Sequence, residues 1–102
     1  MSALRISQRV SETLTSHSVT SETIASSITA KVTDYTLKTI DGVTVRNEIL
    51  ELLQSDDSLT DSERQSIADE LVNYATQEIT YYELGYQSVK NLIDSTLQNK
   101  GL

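Results

Sequence analysis

The fold is decided by residues 60–99, which read TDSERQSIADELVNYATQEITYYELGYQSVKNLIDSTLQN. Apolar or aromatic residues recur there in steps of three and four, which places them on one face of an α-helix. We call these residues the seam: Ala68, Val72, Ala75, Ile79, Tyr82, Tyr86, Val89 and Ile93. The pattern predicts one long amphipathic helix, or two helices that meet at Gly85, the one glycine in the stretch.

The start of this helix is marked by a capping box. Thr60 is a favourable N-cap, and Glu63, three residues later, can reach back to the amide of the cap. No proline follows, so a continuous helix is favoured over a break at Gly85. A helix of roughly 40 residues is about 60 Å long, whereas a compact 100-residue domain has a radius of gyration of about 13 Å. A continuous helix therefore implies assembly, and a break implies a compact bundle.

Two shorter helices are predicted in the first 40 residues. In residues 2–16, Leu4, Val10 and Leu14 share a helix face and Ile6 lies off it. Residues 21–39 form the second predicted helix, with Thr20 as its N-cap. Its apolar stripe follows helical spacing: Ile24, Ile28, Val32 and Tyr35.

The pair Asp41-Gly42 is the clearest interruption in the chain, and it has two interpretations. In the favoured one, the preceding helix ends with Gly42 in the left-handed conformation. In the other, Asp41-Gly42 forms the tight turn of a β-hairpin between β-branched flanks. A third helix is predicted from Val45 to Gln54, with Thr44 as its N-cap.

These elements define the fold class as all-α, with shorter N-terminal helices and a long amphipathic C-terminal helix. Residues 1–102 form a single helical domain, in which a polar, Ser/Thr-rich part (1–43) precedes a helix–loop–helix (44–102). Apolar residues make up 37% of the chain, and there is no Phe or Trp. The core is therefore that of a thin bundle, or it is completed by further copies or by partners.

Composition excludes several classes of partner. The net charge is −7, and residues 47–102 hold eleven Asp/Glu against three Lys/Arg. An acidic surface repels nucleic acid and anionic membranes. No apolar run approaches the ~18 residues of a membrane span, and the N-terminus lacks the apolar region of a secretory signal. With no cysteine, disulfides and thiolate sites are ruled out.

The residues needed for an enzyme site are missing from the pattern. His17 is the only histidine, and it has no carboxylate at ligand spacing. If Asp56 begins a calcium loop, position six is Asp61 instead of Gly and position twelve is Ile67 instead of Glu. Three glycines do not make a phosphate loop. We therefore expect no catalytic residue, cofactor, metal or small-molecule substrate.

The tyrosines of the long helix have two interpretations. Tyr82 and Tyr86 lie on the seam, whereas Tyr74 and Tyr81 lie off it. They either pack amphipathically with hydroxyls in water, or anchor a protein–protein contact, where tyrosine is enriched. We predict that most of the seam forms an interface with another helical protein or with a second copy. The predicted interface residues are Val72, Ala75, Ile79, Tyr82, Tyr86, Val89 and Ile93.

Residues 55–100 resemble the inner-rod and needle subunits of bacterial type III secretion systems. In that family a short polar loop, often Asn-Pro or Asp-Pro with a Ser-Leu, precedes a long amphipathic C-terminal helix. That helix carries an Asn-Tyr or similar tyrosine pair in its middle and ends in aliphatic residues. Here Ser58-Leu59 follows Asp56-Asp57, and the helix then carries residues at about the family's spacing: Leu71, Asn73, Tyr74, Leu84, Val89, Leu92 and Ile93.

The resemblance implies a non-enzymatic subunit that polymerises helically, with its C-terminal helices lining a tube for unfolded proteins. It also implies export without a cleavable signal into a secretion apparatus; without it, a cytoplasmic location is expected. Two alternatives stay open. One is a compact binding, adaptor or immunity-type module with an acidic face, and the other is a ring-forming phage head–tail connector.

Overall fold

A computed structural model of the chain describes residues 3–99, with the side chains of residues 5–85 and of Asn91. The elements are four helices: α1 (Ala3–Ser16), α2 (Glu22–Thr36), α3 (Gly42–Leu53) and α4 (Asp61–Asn99). The all-α prediction is confirmed, because residues 3–99 contain no strand. The β-hairpin interpretation of Asp41-Gly42 is wrong, since Gly42 is helical.

The helices form a bundle in which α1 and α3 each contact both α2 and α4, and α2 also contacts α4. Burial of the side chains between them drives the packing. All but one of the side chains of this core are aliphatic, and Tyr74 is the exception: Ile6, Val10, Leu14, Val19, Ile28, Val32, Val45, Ile49, Leu53, Leu59, Ile67, Ala68, Leu71, Tyr74 and Ala75.

The buried face of α1 corrects one prediction. Ile6, expected off the apolar face, is buried together with Val10 and Leu14. The spacing of four residues between each pair places all three on the same side of the helix. Leu4, which was expected on this face, lies outside the described side chains. The face of α1 that enters the core therefore begins at Ile6.

Both α1 and α2 end in a left-handed residue that is not glycine. Ser18 and Lys38 each have φ 62°. After α1, the Val19 amide donates to the Leu14 carbonyl at 2.9 Å, and the Ser18 amide donates to the Thr15 carbonyl at 2.9 Å. This is the Schellman arrangement, in which the orphan carbonyls of a helix end find donors.

The same arrangement closes α2, where the amides of Thr39 and Lys38 donate to the carbonyls of Asp34 and Tyr35 at 3.0 and 2.9 Å. The prediction that Gly42 ends this helix is therefore wrong. The chain reverses at Lys38, and Gly42 is already the first residue of α3. Glycine is the residue that most often adopts the left-handed conformation at a helix end. Here the hydrogen bonds at the end of α2 and the packing of α3 hold Lys38 in that conformation instead.

The N-caps of α2 and α3 also differ from those predicted. Ser21, instead of Thr20, caps α2 by accepting from the Ile24 amide at 3.3 Å. Asp41, instead of Thr44, caps α3 by accepting from the Thr44 amide at 2.7 Å. This backbone hydrogen bond lowers the pKa of Asp41, because it stabilises the carboxylate. Each helix begins about where the sequence placed it, but on a different capping side chain.

The capping box at the start of α4 is confirmed. The Glu63 amide donates to Thr60 Oγ1 at 3.1 Å, and the Thr60 amide donates to Glu63 Oε1 at 3.1 Å. Arg64 ties this helix start to the preceding loop, since Nε donates to the Leu53 carbonyl and Nη2 to the Asp56 carbonyl, at 3.1 and 2.8 Å. These bonds fix the direction in which α4 leaves the loop.

The long helix α4 runs without interruption through Gly85. Its 39 residues correspond to about 58 Å at 1.5 Å per residue, whereas the other helices have 12 to 15 residues. The molecule accordingly measures 65 × 22 × 18 Å, with a radius of gyration of 17.6 Å. The continuous form of the predicted long helix is the one observed, and it gives the molecule an elongated shape.

Candidate docking surface at the open end of the bundle

The described residues of the seam lie in two different environments along α4, the core of the bundle and the solvent-exposed surface. Ala75 is fully buried, and Val72 and Ile79 are half-buried against the bundle. Tyr82 is 61% exposed. The remaining predicted interface residues, Tyr86, Val89 and Ile93, have side chains outside those described. Ala75 belongs to the chain's own core and is closed to a second molecule, whereas the Tyr82 side chain is open to one.

The buried face of α4 is rotated away from the predicted seam. Its centre is formed by Ile67, Leu71 and Tyr74, with Glu78 at its end. Tyr74, expected off the packed face, is only 7% exposed and lies in the core. The three helices α1, α2 and α3 all pack on α4, and their positions determine which of its faces is buried. The spacing of apolar residues in the sequence does not determine that face by itself.

Three polar contacts mark the point at which α4 leaves the bundle. Tyr35 Oη and Thr76 Oγ1 are hydrogen-bonded at 2.8 Å, and Arg5 pairs with Glu78 at 3.0 Å. Further along, Lys38 in the α2–α3 turn forms an ion pair with Glu83. These contacts connect α1, α2 and the α2–α3 turn to α4, so its direction relative to the bundle is fixed up to residue 83.

A groove of about 550 Å³ opens at this end of the bundle. We call it the end groove. It lies between the first half of α1, the last turn of α2 and the exit of α4. Apolar side chains and threonine methyls form most of its wall, and one ion pair forms its rim: Ile6, Thr33, Thr36, Leu37, Lys38, Ile79, Tyr82 and Glu83.

Two large apolar side chains of the end groove face solvent. Leu37 is 65% exposed, because the chain reverses at the next residue, Lys38, and holds Leu37 at the helix end. Tyr82 lies seven residues after Ala75 and four after Glu78, both buried, so it belongs to the face that is packed earlier in α4. It is exposed here because α4 continues past the other helices.

The residues next to the end groove extend the apolar surface along α4. Tyr81 is 64% exposed and Leu84 is 58% exposed. Exposed apolar groups that cluster in this way, unlike singly scattered ones, are a mark of interaction sites. The predicted interface includes Ile79 and Tyr82 of the end groove but not Leu37 and Ile6, which also line it. The available signal for Ile6 was its spacing to Val10 and Leu14.

A smaller polar cleft of about 310 Å³ lies between α1 and α4. Its floor is Tyr74, whose ring lies 4.9 Å from the guanidinium carbon of Arg9. The Tyr74 hydroxyl is buried and has no hydrogen-bond partner among the described residues. Burial, followed by the nearby Glu78 carboxylate, raises its pKa. The cleft thus places Arg9 of α1 against the Tyr74 ring of α4.

Among the described side chains, His17 and Asp56 make local contacts at the start of α4 and in the loop before it. His17 Nδ1 lies 4.0 Å from Glu63 Oε2, beside the capping box. Asp56 accepts hydrogen bonds from the hydroxyl and the amide of Ser58, which lower its pKa and order the loop. Among the side chains that the structure describes, no group of three His, Asp or Glu is placed to hold a metal ion.

Comparison with protein-family models, with curated proteins and with solved structures gave no match. In the described part of the chain, no helix combines the length and the mean hydropathy needed to cross a membrane. The end groove and the exposed residues of α4 beside it form the candidate docking surface.

Proposed function

We propose that the protein is a structural subunit that associates with further copies through the part of α4 beyond the bundle. We call residues 84–99 the distal segment. One observation carries the proposal: α4 continues for about 24 Å after the Lys38–Glu83 ion pair, the last described contact with the bundle. A helix that outruns its own bundle has a face that a second molecule can cover.

The sequence of the distal segment supports a packed role. Tyr86, Val89 and Ile93 continue the helical spacing of the seam, and Leu92 widens it. An isolated helix of this length is marginal in water, because most helical stability comes from packing an amphipathic face. Association would supply that packing.

The resemblance to inner-rod and needle subunits supports the same kind of assembly. In those proteins, neighbouring C-terminal helices pack in a helical polymer. An interface between two different surfaces of the same subunit generates open filaments unless the rotation between copies closes a ring. We therefore propose a filament-forming subunit of a secretion apparatus as the specific form of this function.

The proposal is tested with Val89→Asp and Ile93→Asp in sedimentation velocity over a range of protein concentrations. Wild-type protein is expected to form species larger than a monomer, and both variants are expected to stay monomeric because a charge is placed on the associating face. The matched control is Asn91→Asp. Asn91 is exposed and lies on the opposite side of the helix from the seam, so this variant should associate as wild type does.

Electron microscopy of concentrated wild-type protein separates the forms of assembly. Filaments agree with a rod or needle subunit, and closed rings would instead indicate the connector alternative. A wild-type protein that stays monomeric at high concentration would contradict self-association and leave the binding-module alternative. Equal association of Val89→Asp and wild type would show that the distal segment is not the contact.

A further inference from the structure

The polar cleft between α1 and α4 contains an arginine that pairs with none of the described carboxylates. The structure describes six Lys and Arg side chains, and five of them form an ion pair with Asp or Glu. Arg9 is the sixth, and its guanidinium carbon lies 4.9 Å from the centre of the Tyr74 ring. The chain has fifteen Asp and Glu, yet among the described residues this positive group is left available for a ligand.

The contact with the Tyr74 ring does not use the hydrogen-bonding groups of Arg9. The attraction between a guanidinium and an aromatic ring acts through the face of the ring, and the N–H donors of arginine form a planar fork. The Arg9 side chain is exposed, so a ligand can approach these donors. Because the ring restrains the side chain, less conformational freedom is lost on binding. The fork matches the two oxygens of a carboxylate, which accepts two parallel hydrogen bonds from arginine.

Tyr74 supplies a second unused polar group. Its side chain is only 7% exposed, and its hydroxyl has no hydrogen-bond partner among the described residues. Burial raises the pKa of Tyr74, and the nearby positive charges of Arg5 and Arg9 oppose that rise. A buried polar group without a partner is destabilising, so a ligand oxygen that accepts from this hydroxyl recovers a lost hydrogen bond. The exposed Arg9 side chain can shift toward a ligand and admit that oxygen to the hydroxyl.

The other residues of the polar cleft determine which kind of anion fits. Arg5 is already paired with Glu78 at 3.0 Å, and Glu12 also lines the cleft. Two carboxylates beside the site disfavour a dianion such as phosphate, because like charges placed close together repel. A single carboxylate brings one negative charge for the one unpaired arginine. Gln8 and Gln77 line the same cleft, and their amide groups can hydrogen-bond a peptide group next to that carboxylate.

The net charge of the chain and the size of the polar cleft limit the ligand further. A charge of −7 repels an anion at long range, but salt at 0.15 M screens charges more than about 8 Å apart. The hydrogen-bonded contact at Arg9 acts at about 3 Å and is screened far less. The volume of about 310 Å³ is near the lower end of the range for ligand pockets. The cleft therefore suits one carboxylate-bearing residue better than a large ligand.

We propose that the polar cleft binds a carboxylate group of a polypeptide. Arg9 donates two parallel hydrogen bonds to the carboxylate, and the Tyr74 hydroxyl donates a further one. Gln8 and Gln77 hold the adjoining peptide group. An acidic side chain and a chain end both present this group. The inference goes beyond the proposed self-association and does not depend on it, because the cleft lies on the bundle and the distal segment contributes none of its lining residues.

The first test compares small probes at protein concentrations where sedimentation shows a monomer. N-acetylalanine presents a chain-end carboxylate, the α-methylamide of N-acetylaspartate presents a side-chain carboxylate, and N-acetylalanine methylamide presents none. The NMR signals of the Tyr74 ring are expected to shift saturably with a carboxylate probe, and the tighter of the two identifies the source. The neutral amide should bind at least tenfold more weakly. Equal binding of the neutral amide, tighter binding of inorganic phosphate, or no saturable shift with either carboxylate would overturn the proposal.

The second test changes the arginine and follows the same Tyr74 signals. Arg9→Gln removes the charge and is expected to weaken binding of the carboxylate probe tenfold or more. Arg9→Lys keeps the charge but loses the fork, so most of that loss should remain. The matched control is Arg46→Gln, because Arg46 pairs with Asp69 and does not line the cleft. Wild-type affinity in Arg9→Gln would overturn the assignment of the cleft.

Tyr74→Phe separates binding from structure. The ring under Arg9 is kept, and only the buried hydroxyl is removed. Binding of the carboxylate probe, followed at the Arg9 Nε–H signal, is expected to weaken about fivefold, as the loss of one neutral hydrogen bond does. The urea midpoint should not fall, because the hydroxyl has no partner among the described residues. Unchanged binding together with a lower midpoint would show a structural hydroxyl and overturn its place in the site.

Discussion

At the residue scale, two helices of this protein end in a left-handed residue that is not glycine. Ser18 and Lys38 adopt the left-handed conformation in which glycine is normally found. For a residue with a Cβ this conformation costs about 1–2 kcal/mol. The Schellman hydrogen bonds and the burial of Val19 offset that cost after α1. At Lys38, the same backbone conformation places the side chain against Glu83, beside the end groove.

We expect Ser18→Gly to raise the free energy of unfolding by about 1 kcal/mol, because glycine adopts the left-handed conformation without the Cβ penalty. Urea unfolding measures the change. The control is Ser11→Gly on an exposed position inside α1, where the same replacement should lower stability by about 0.5 kcal/mol. Destabilisation by both variants would contradict the strain at Ser18.

At the element scale, α4 is one helix with two roles. Its first half, up to Ile79, contributes core residues such as Ile67 and Leu71 and receives contacts from the three other helices. Its second half follows the Lys38–Glu83 ion pair and continues the helical backbone through Gly85. Nothing lies within 4 Å of the position of a Cβ at Gly85, so the backbone there is open on that side.

We expect Gly85→Pro to separate these two roles. Proline costs about 3 kcal/mol inside a helix, so the helical signal of the distal segment should fall, as measured by circular dichroism. The urea midpoint of the bundle should change little, because the described contacts of α4 with the bundle end at Glu83. Gly85→Ala is the control and should increase helicity. A large loss of bundle stability in Gly85→Pro would contradict this division.

At the scale of the whole molecule, shape and charge act together. The chain measures 65 Å in one direction and about a third of that in the others. Most of its negative charge lies on residues 1–83, which include the bundle. An acidic bundle with a protruding, nearly neutral helix is repelled by other bundles but not by other distal segments. This distribution favours contacts that are made through α4.

We expect small-angle X-ray scattering of the Val89→Asp variant, at concentrations where it is monomeric, to give a radius of gyration close to 17.6 Å. The physical reason is the continuous helix through Gly85. Comparison with the double variant Val89→Asp/Gly85→Pro under the same conditions is informative, because a free joint should shorten the molecule. A value near the ~13 Å of a compact 100-residue domain would instead show that the distal segment folds back.

Much of the local structure was predictable from the sequence. The capping box at Thr60 and Glu63 and the apolar spacing of α2 depend on residues within one or two turns of each other, so the pattern alone indicates them. The long helix followed from the seam and from the absence of proline. Within the candidate site, the sequence predicts Tyr82 as an interface residue; its side chain is 61% exposed, and its contact with a partner stays a prediction.

Only the tertiary structure decides at which residue α4 leaves the core of the bundle. The period of the seam is the same before and after Ile79, so the sequence could not distinguish buried Ala75 from exposed Tyr82. That difference depends on where α1 and α2 end against α4, which is set by packing between distant residues. The end groove exists for the same reason, since Leu37 and Tyr82 come together only when the helices pack.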